Sequence, residues 1–280
     1  MAVPILDNHV HLEPFRGRNV DAVRDFERQG GTHIVISSLP YDEAPAKSAE
    51  DFRKGFDLTI SLKDRVNRET GVRAFATVGP YPAELMNLEN INGLEKAKEI
   101  MKDGMDIAAE YVRTGAALAI GEVGRPHFPV SEAEWRASNE ILAYAMKLVK
   151  EVGCAIVLHT ESATISSMKE LAAMADKVGL DKNRVVKHYS PPLILPEENF
   201  GLMPSVLAGK DAVREALGKG DRFLMETDFL DDPRRPGAVM AITTVPKRTR
   251  TFLEQGIMTE EQAFKIHVEN PKKTYGDLFA

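Results

Sequence analysis

The chain has 280 residues, 36 Lys and Arg against 42 Asp and Glu, a formal net charge of -6, and 43% hydrophobic residues. That apolar share supports a sizeable core and excludes global disorder, while the mild acidity argues against a broad nucleic-acid surface and leaves room only for a local basic mouth. No apolar run approaches the roughly 18 residues of a membrane span, and no basic region precedes an apolar one at the N-terminus. The lone Cys154 rules out an intrachain disulfide and a thiolate zinc site, so the expectation is a soluble cytoplasmic protein.

Along the chain, short β-branched or apolar runs alternate with polar loops and helical patterns. The runs read as strands at 4–11, 33–38, 73–78, 116–122, 154–159, 184–188, 200–206 and 222–228. The seventh is the weakest, because Pro204 interrupts it. Helical patterns fall at 20–29, closed by Gly30-Gly31, and at 132–152, opened by Ser131 as N-cap. Others fall at 166–178, 211–217 and 236–254, stopping at Gly179, Gly218 and near Gly256, and a helical excursion covers 85–113. Eight strands alternating with helices predict a (β/α)8 TIM barrel, a single domain spanning 1–280 with no internal linker.

Six residues able to carry chemistry fall at the C-terminal ends of predicted strands: His9 and His11 on the first, Glu122 on the fourth, His159 on the fifth, His188 on the sixth and Asp228 on the eighth. In an α/β barrel those ends converge on one mouth. Asp7, His9 and His11 alternate with Asn8 and Val10, so they face one way, and two imidazoles on one face can grip a metal ion. Asp7, one step deeper, is expected to hold a ring N–H from behind. The bland alternative is a pair of core histidines satisfied by hydrogen bonds. Glu122 sits between Gly121 and Gly124, a crowded loop edge from which its two oxygens can bridge two cations; otherwise it is an exposed loop carboxylate. His159 and His188 each close an apolar strand, where a lone histidine is usually a core or capping group, but two at one barrel level are harder to dismiss. Asp228 is assigned to metal at the rim, and Glu226 behind it to a supporting role. His33 reads as structural, His267 as a surface or capping residue, and Cys154 as packing. His127, on the mouth loop, is a candidate substrate contact.

The series Asp7-Asn8-His9-Val10-His11-Leu12, Gly121-Glu122-Val123-Gly124, Leu158-His159-Thr160, Lys187-His188-Tyr189-Ser190 and Glu226-Thr227-Asp228 resembles TatD-type metal-dependent hydrolases of the amidohydrolase superfamily, and Glu269-Asn270-Pro271 resembles that family's closing Asn-Pro. The resemblance implies a barrel with two metals: His9, His11 and Asp228 on one, His159 and His188 on the other, Glu122 bridging. The family includes nucleases acting on DNA ends. The chain departs from the family pattern at substrate-side positions: Arg125-Pro126-His127 after the Glu122 motif, Glu161 where an Arg is frequent, and Ser190-Pro191-Pro192 after the strand-six motif.

Imidazole and carboxylate donors suit zinc, manganese, nickel or iron(II). Two such ions activate a water, and Asp228 is the natural proton acceptor and donor. Lys187, Arg125, Arg234 and Arg235 can neutralise an anionic substrate, although the arginines of the last pair read individually as solvated surface charges. The leading expectation is a phosphoesterase acting on a small molecule or a nucleic-acid end, with Arg125, His127, Glu161 and Lys187 on the substrate side. The alternative is an amidase or lactonase on the same metals. A PHP-type barrel lacks its early Asp-His pair here, and a barrel that binds without turnover predicts no metal-dependent cleavage.

Overall fold

The computed structural model describes residues 3–278. Its strands are β1 (Leu6–His11), β2 (His33–Ser37), β3 (Arg73–Val78), β4 (Ala119–Gly124), β5 (Ala155–His159), β6 (Val185–Ser190), β7 (Met203–Leu207), β8 (Leu224–Glu226) and β9 (Phe229–Leu230). Around them run α1 (Val20–Arg28), α2 (Ala49–Glu69), α3 (Glu84–Asn92), α4 (Leu94–Arg113), α5 (Glu132–Val152), α6 (Ile165–Val178), α7 (Pro196–Asn199), α8 (Lys210–Lys219), α9 (Thr244–Glu254), α10 (Glu260–Phe264) and α11 (Asn270–Tyr275). All strand pairings are parallel, in the order β8-β7-β6-β5-β4-β3-β2-β1-β9. This is the expected (β/α)8 barrel, with one refinement: the eighth strand is split. Its first part pairs with β7 and its second with β1, so the split strand closes the sheet on itself. At the break Asp228 takes a left-handed φ of 50°, and its N–H donates to His9 O at 3.0 Å.

Parallel strands covered by helices are buried on both faces and read as apolar runs. Ile34, Val35 and Ile36 of β2 and Ile156, Val157 and Leu158 of β5 are fully or almost fully buried. The amphipathic helices then close the outer layer; α5 is opened by Ser131, whose Oγ accepts from Glu134 N at 3.2 Å while Glu134 accepts from Ser131 N. At the closed end α11 plugs the barrel: Tyr275 Oη donates to Asn8 Oδ1 at 3.0 Å. Asn270 of the closing Asn-Pro donates to Asp221 O and Phe223 O at 2.7 and 3.0 Å, pinning the entry to β8.

Three local expectations are corrected. The seventh strand starts at Met203 rather than 200, because Phe200 and Gly201 form a left-handed turn; Pro204 sits inside it, beside a register shift between β6 and β7. The helix expected at 236–254 begins at Thr244: Gly237, with a φ of 72°, bars a helix through that position, and bends and turns occupy the stretch up to 243. The excursion at 85–113 is two helices parted by Gly93. Among the described residues no helix is long and apolar enough to cross a membrane.

Candidate metal centre

The six strand-end residues meet at the mouth. Glu122 Oε1 lies 2.9 Å from His9 Nε2, 2.9 Å from His188 Nε2 and 3.4 Å from His159 Nδ1. Glu122 Oε2 is 3.9 Å from His11 Nε2, and Asp228 Oδ1 is 3.4 Å from His11 Nε2 and 3.8 Å from His9 Nε2. His9 Nε2 and His11 Nε2 approach to 3.1 Å, His188 Nε2 and His159 Nδ1 to 3.3 Å. Ligand atoms of His9, His11 and Asp228 form one cluster of metal-holding size, those of Glu122, His159 and His188 another, and His9, His188 and Glu226 a third.

The backbone explains how Glu122 reaches this point. Gly121 and Gly124 flank it where neighbouring strands press close: a Cβ at Gly121 would lie 2.6 Å from Val157 Cβ, and one at Gly124 would lie 2.1 Å from His159 O. Only glycine lets β4 pack against β5 at the level of both ligands.

The tautomers are set from behind. His11 Nδ1 is 3.1 Å from Ser37 O, and a carbonyl only accepts, so Nδ1 carries the proton and Nε2 offers its lone pair. His9 Nδ1 meets Ser37 Oγ at 3.1 Å, which in turn meets Thr77 Oγ1 at 2.8 Å. His188 Nδ1 donates to Glu226 Oε1 at 3.1 Å, and Glu226 also accepts from Tyr189 N at 2.7 Å and from Ser205 Oγ. Glu226 therefore stands where it was expected, behind a ligand. Asp7 does not: its oxygens accept from Thr227 N and Oγ1 at 3.0 and 2.7 Å, and no ring nitrogen reaches it. It ties β1 to the split eighth strand, because Ser37 on β2 already holds the rings of His9 and His11.

This donor set demands positive charge. Glu122, Asp228 and Glu226 are 2, 14 and 0% exposed at the side chain, and every ion pair they make is with histidine. Glu122 and Asp228 face imidazole ring nitrogens, while Glu226 is satisfied by the His188 N–H, and a buried carboxylate so placed is stabilised by a bound cation or a protonated ring. Burial would raise the Glu122 carboxyl, but His188, His9 and His159 hold it well below its usual range. Burial would lower His188, but Glu122 and Glu226 push it up to about 10. Burial works against His11 too, yet the Asp228 bond and the Glu122 charge raise it. His9 is lowered, by burial first and by His188 second. The residues fit a divalent-metal centre.

The substrate-side candidates divide. His127, exposed, brings Nδ1 to 2.8 Å from His159 Nε2. Tyr81, which sequence reasoning passed over, brings its Oη to 3.0 Å from the same nitrogen; its only sequence cue was its place just after β3. Lys187 is 1% exposed, its Nζ donates to His188 O at 2.6 Å, and burial lowers it to about 8. Arg125 is turned away from the ligands: it is 1% exposed, stacks over Trp135 at 4.8 Å, and is held by Glu161, Glu170 and Asn139. Glu161 is thus paired with Arg125. His33 is half-buried with Nδ1 2.8 Å from Thr32 Oγ1, and Cys154 is buried.

Sequence and structure comparisons show what the chain is similar to. The family described as TatD related DNase matches residues 6–276. An uncharacterized protein of Methanocaldococcus jannaschii is 39% identical over 279 residues, covering 98% of this chain and 96% of its own length. The TatD-like protein of Archaeoglobus fulgidus shares the fold at a TM-score of 0.65 and 16% identity, over 96% of this chain and 98% of that one. A structure described as organophosphate hydrolysis activity engineered from a weak promiscuous lactonase template aligns at 0.61 and 16% identity, over 98% of this chain and 96% of that one.

Proposed function

This chain belongs to the TatD-related DNase family of hydrolases, and from that premise we propose that it cleaves a phosphoester, on a small phosphodiester or a nucleic-acid end, with two divalent ions at the barrel mouth. The observation that carries the reading is Glu122 packed among His9, His159 and His188 with Asp228 beside His9 and His11. His9, His11 and Asp228 would hold one ion, His159 and His188 the other, and Glu122 would span both. Zinc, manganese, nickel and iron(II) suit these donors. When bound, such ions lower the pKa of a water between them and polarise the scissile oxygen.

The chain's own residues do the rest. Asp228 opens onto the space above the ligands. Burial would raise its carboxyl, but the His11 bond and nearby imidazoles hold it low, so it stands ionised, ready to accept the water's proton and return it to the leaving group. Lys187 lines the same space and supplies positive charge for an anionic substrate oxygen. His127 and Tyr81 fix His159 from its outer nitrogen. A second reading, hydrolysis of a lactone or amide on the same centre, is favoured by one observation: Arg16 and Arg234 at the mouth are already paired with carboxylates, and Arg125, turned away from the ligands, is paired with Glu161.

Metal-reconstituted protein offered a chromogenic phosphodiester, a single-stranded oligonucleotide and a panel of lactones and amides separates the two. Phosphodiester turnover that falls at least about 100-fold in Asp228→Asn supports the first reading. Turnover confined to carbonyl substrates replaces it with the second.

A further inference from the structure

The space above the centre divides into two chambers that share His159, His188 and Asp228. The chamber beside β5 and β6, about 210 Å³, is walled by His127, Thr160, Ser162, Lys187 and Tyr189. The chamber beside β1, β2 and β9, about 240 Å³, is walled by the aliphatic Leu39, Leu230, Ala238 and Val239, and also by Tyr81, Arg235 and the ligands His11 and Glu122. Aliphatic side chains stand in this second chamber and not in the wall of the first.

Phe15, Phe128 and Ile165 follow β1, β4 and β5, and Tyr189 lies near the end of β6; they are 50, 38, 51 and 48% exposed, and only Tyr189 among them lines a chamber. The rim's positive charge is meanwhile spent. Arg16 pairs with Asp42 and Glu43, Arg234 with Asp42 and Asp232, and Arg235 lies 3.6 Å from Asp232. A nucleic-acid strand is held by a run of unpaired cations along its backbone, and among the described residues this mouth does not present one.

We infer that the substrate carries an apolar arm seated in the Leu39–Leu230–Val239 chamber, with its polar end toward Lys187, and that the enzyme acts on small alkyl or aryl esters rather than on nucleic-acid ends. The inference rests on the hydrolytic reading of the centre and names its substrate class. A chamber of about 240 Å³ accommodates about eight groups the size of a water or a methylene.

The test is calorimetric binding of n-alkylphosphonates, methyl to dodecyl, to the metal-loaded protein. Affinity is expected to rise about fourfold per methylene and to level off near eight carbons. Val239→Asp should flatten that rise, and Ala238→Trp, which fills the chamber without adding charge, should move the plateau to shorter chains. A series flat from methyl to dodecyl overturns the inference, as does an oligonucleotide binding more tightly than octylphosphonate. Turnover of alkyl lactones but not alkyl phosphodiesters, with the same chain-length dependence, upholds the chamber and removes the phosphoester reading. Hydrolysis of short phosphodiesters with no chain-length preference does the reverse.

Discussion

His267 shows how far a single residue can differ from its sequence context. It follows a polar helix near the C-terminus and reads as a surface or capping group, yet it is fully buried in the π-helical turn Lys265–Glu269. Its Nδ1 meets Leu6 O at 3.1 Å and its Nε2 meets Thr249 Oγ1 at 2.9 Å. The partners come from β1 and α9, so no local pattern reveals them. Burial lowers its pKa to about 4, below the unfolded value, so its contribution to stability is present above pH ~6.5 and is lost as pH falls toward 4. Thermal unfolding followed from pH 7 to 4.5 should show a stability loss of order 2–3 kcal/mol that is smaller in His267→Gln; an identical slope in both proteins would count against this role. The ligand histidines differ in kind. His9, His11, His159 and His188 could be placed because strand ends converge in a barrel, and alternation along β1 identified two of them together. Their supporting partners Ser37 and Thr77 sit on other strands and Tyr81 in the loop after β3, and nothing in their own neighbourhoods marks them.

Strand eight carries more of the design than its length suggests. Leu224–Glu226 and Phe229–Leu230 are separated by two residues, and that break lets one chain segment pair with both β7 and β1. Asp7 holds the break in place through Thr227, and burial raises its carboxyl to about 8. Asp7→Asn keeps an acceptor for Thr227 N and should be tolerated. Asp7→Ala leaves a buried N–H and hydroxyl without a partner and should cost about 1–3 kcal/mol in denaturant unfolding; equal stability of the two variants would contradict the tie. On β4 the crowding at Gly124 makes a second prediction. Gly124→Ala forces a Cβ against His159 O and should weaken metal binding at least tenfold by displacing the end of β5, as titration with a chromophoric metal chelator would show. Strands and long helices were legible at this scale because an apolar run or a 3.6-residue period is local. The late start of α9, the split of strand eight and the 21-residue α2, which reasoning along the chain did not single out, were not. Gly237 and Asp228 take left-handed backbone that composition does not display, and Ser48 and Asp51 open α2 through a side-chain cap.

At the scale of the whole molecule, barrel closure is what makes the site. His9 and Asp228 lie at opposite ends of the sequence yet approach to 3.8 Å. The alternation of strands and helices was enough to foresee that meeting, since a closed parallel barrel gathers every strand end at one face. The substrate side was less legible. Arg125 and Glu161 looked like separate mouth charges, whereas their mutual pairing depends on how two loops pack. Elemental analysis with anomalous X-ray scattering on protein reconstituted with zinc or manganese tests whether the six strand-end side chains hold divalent metal. Two equivalents per chain are expected, both ions within coordination distance of Glu122, with loss of one in His9→Ala/His11→Ala. Protein that binds no stoichiometric metal, or binds it away from Glu122, would contradict that role.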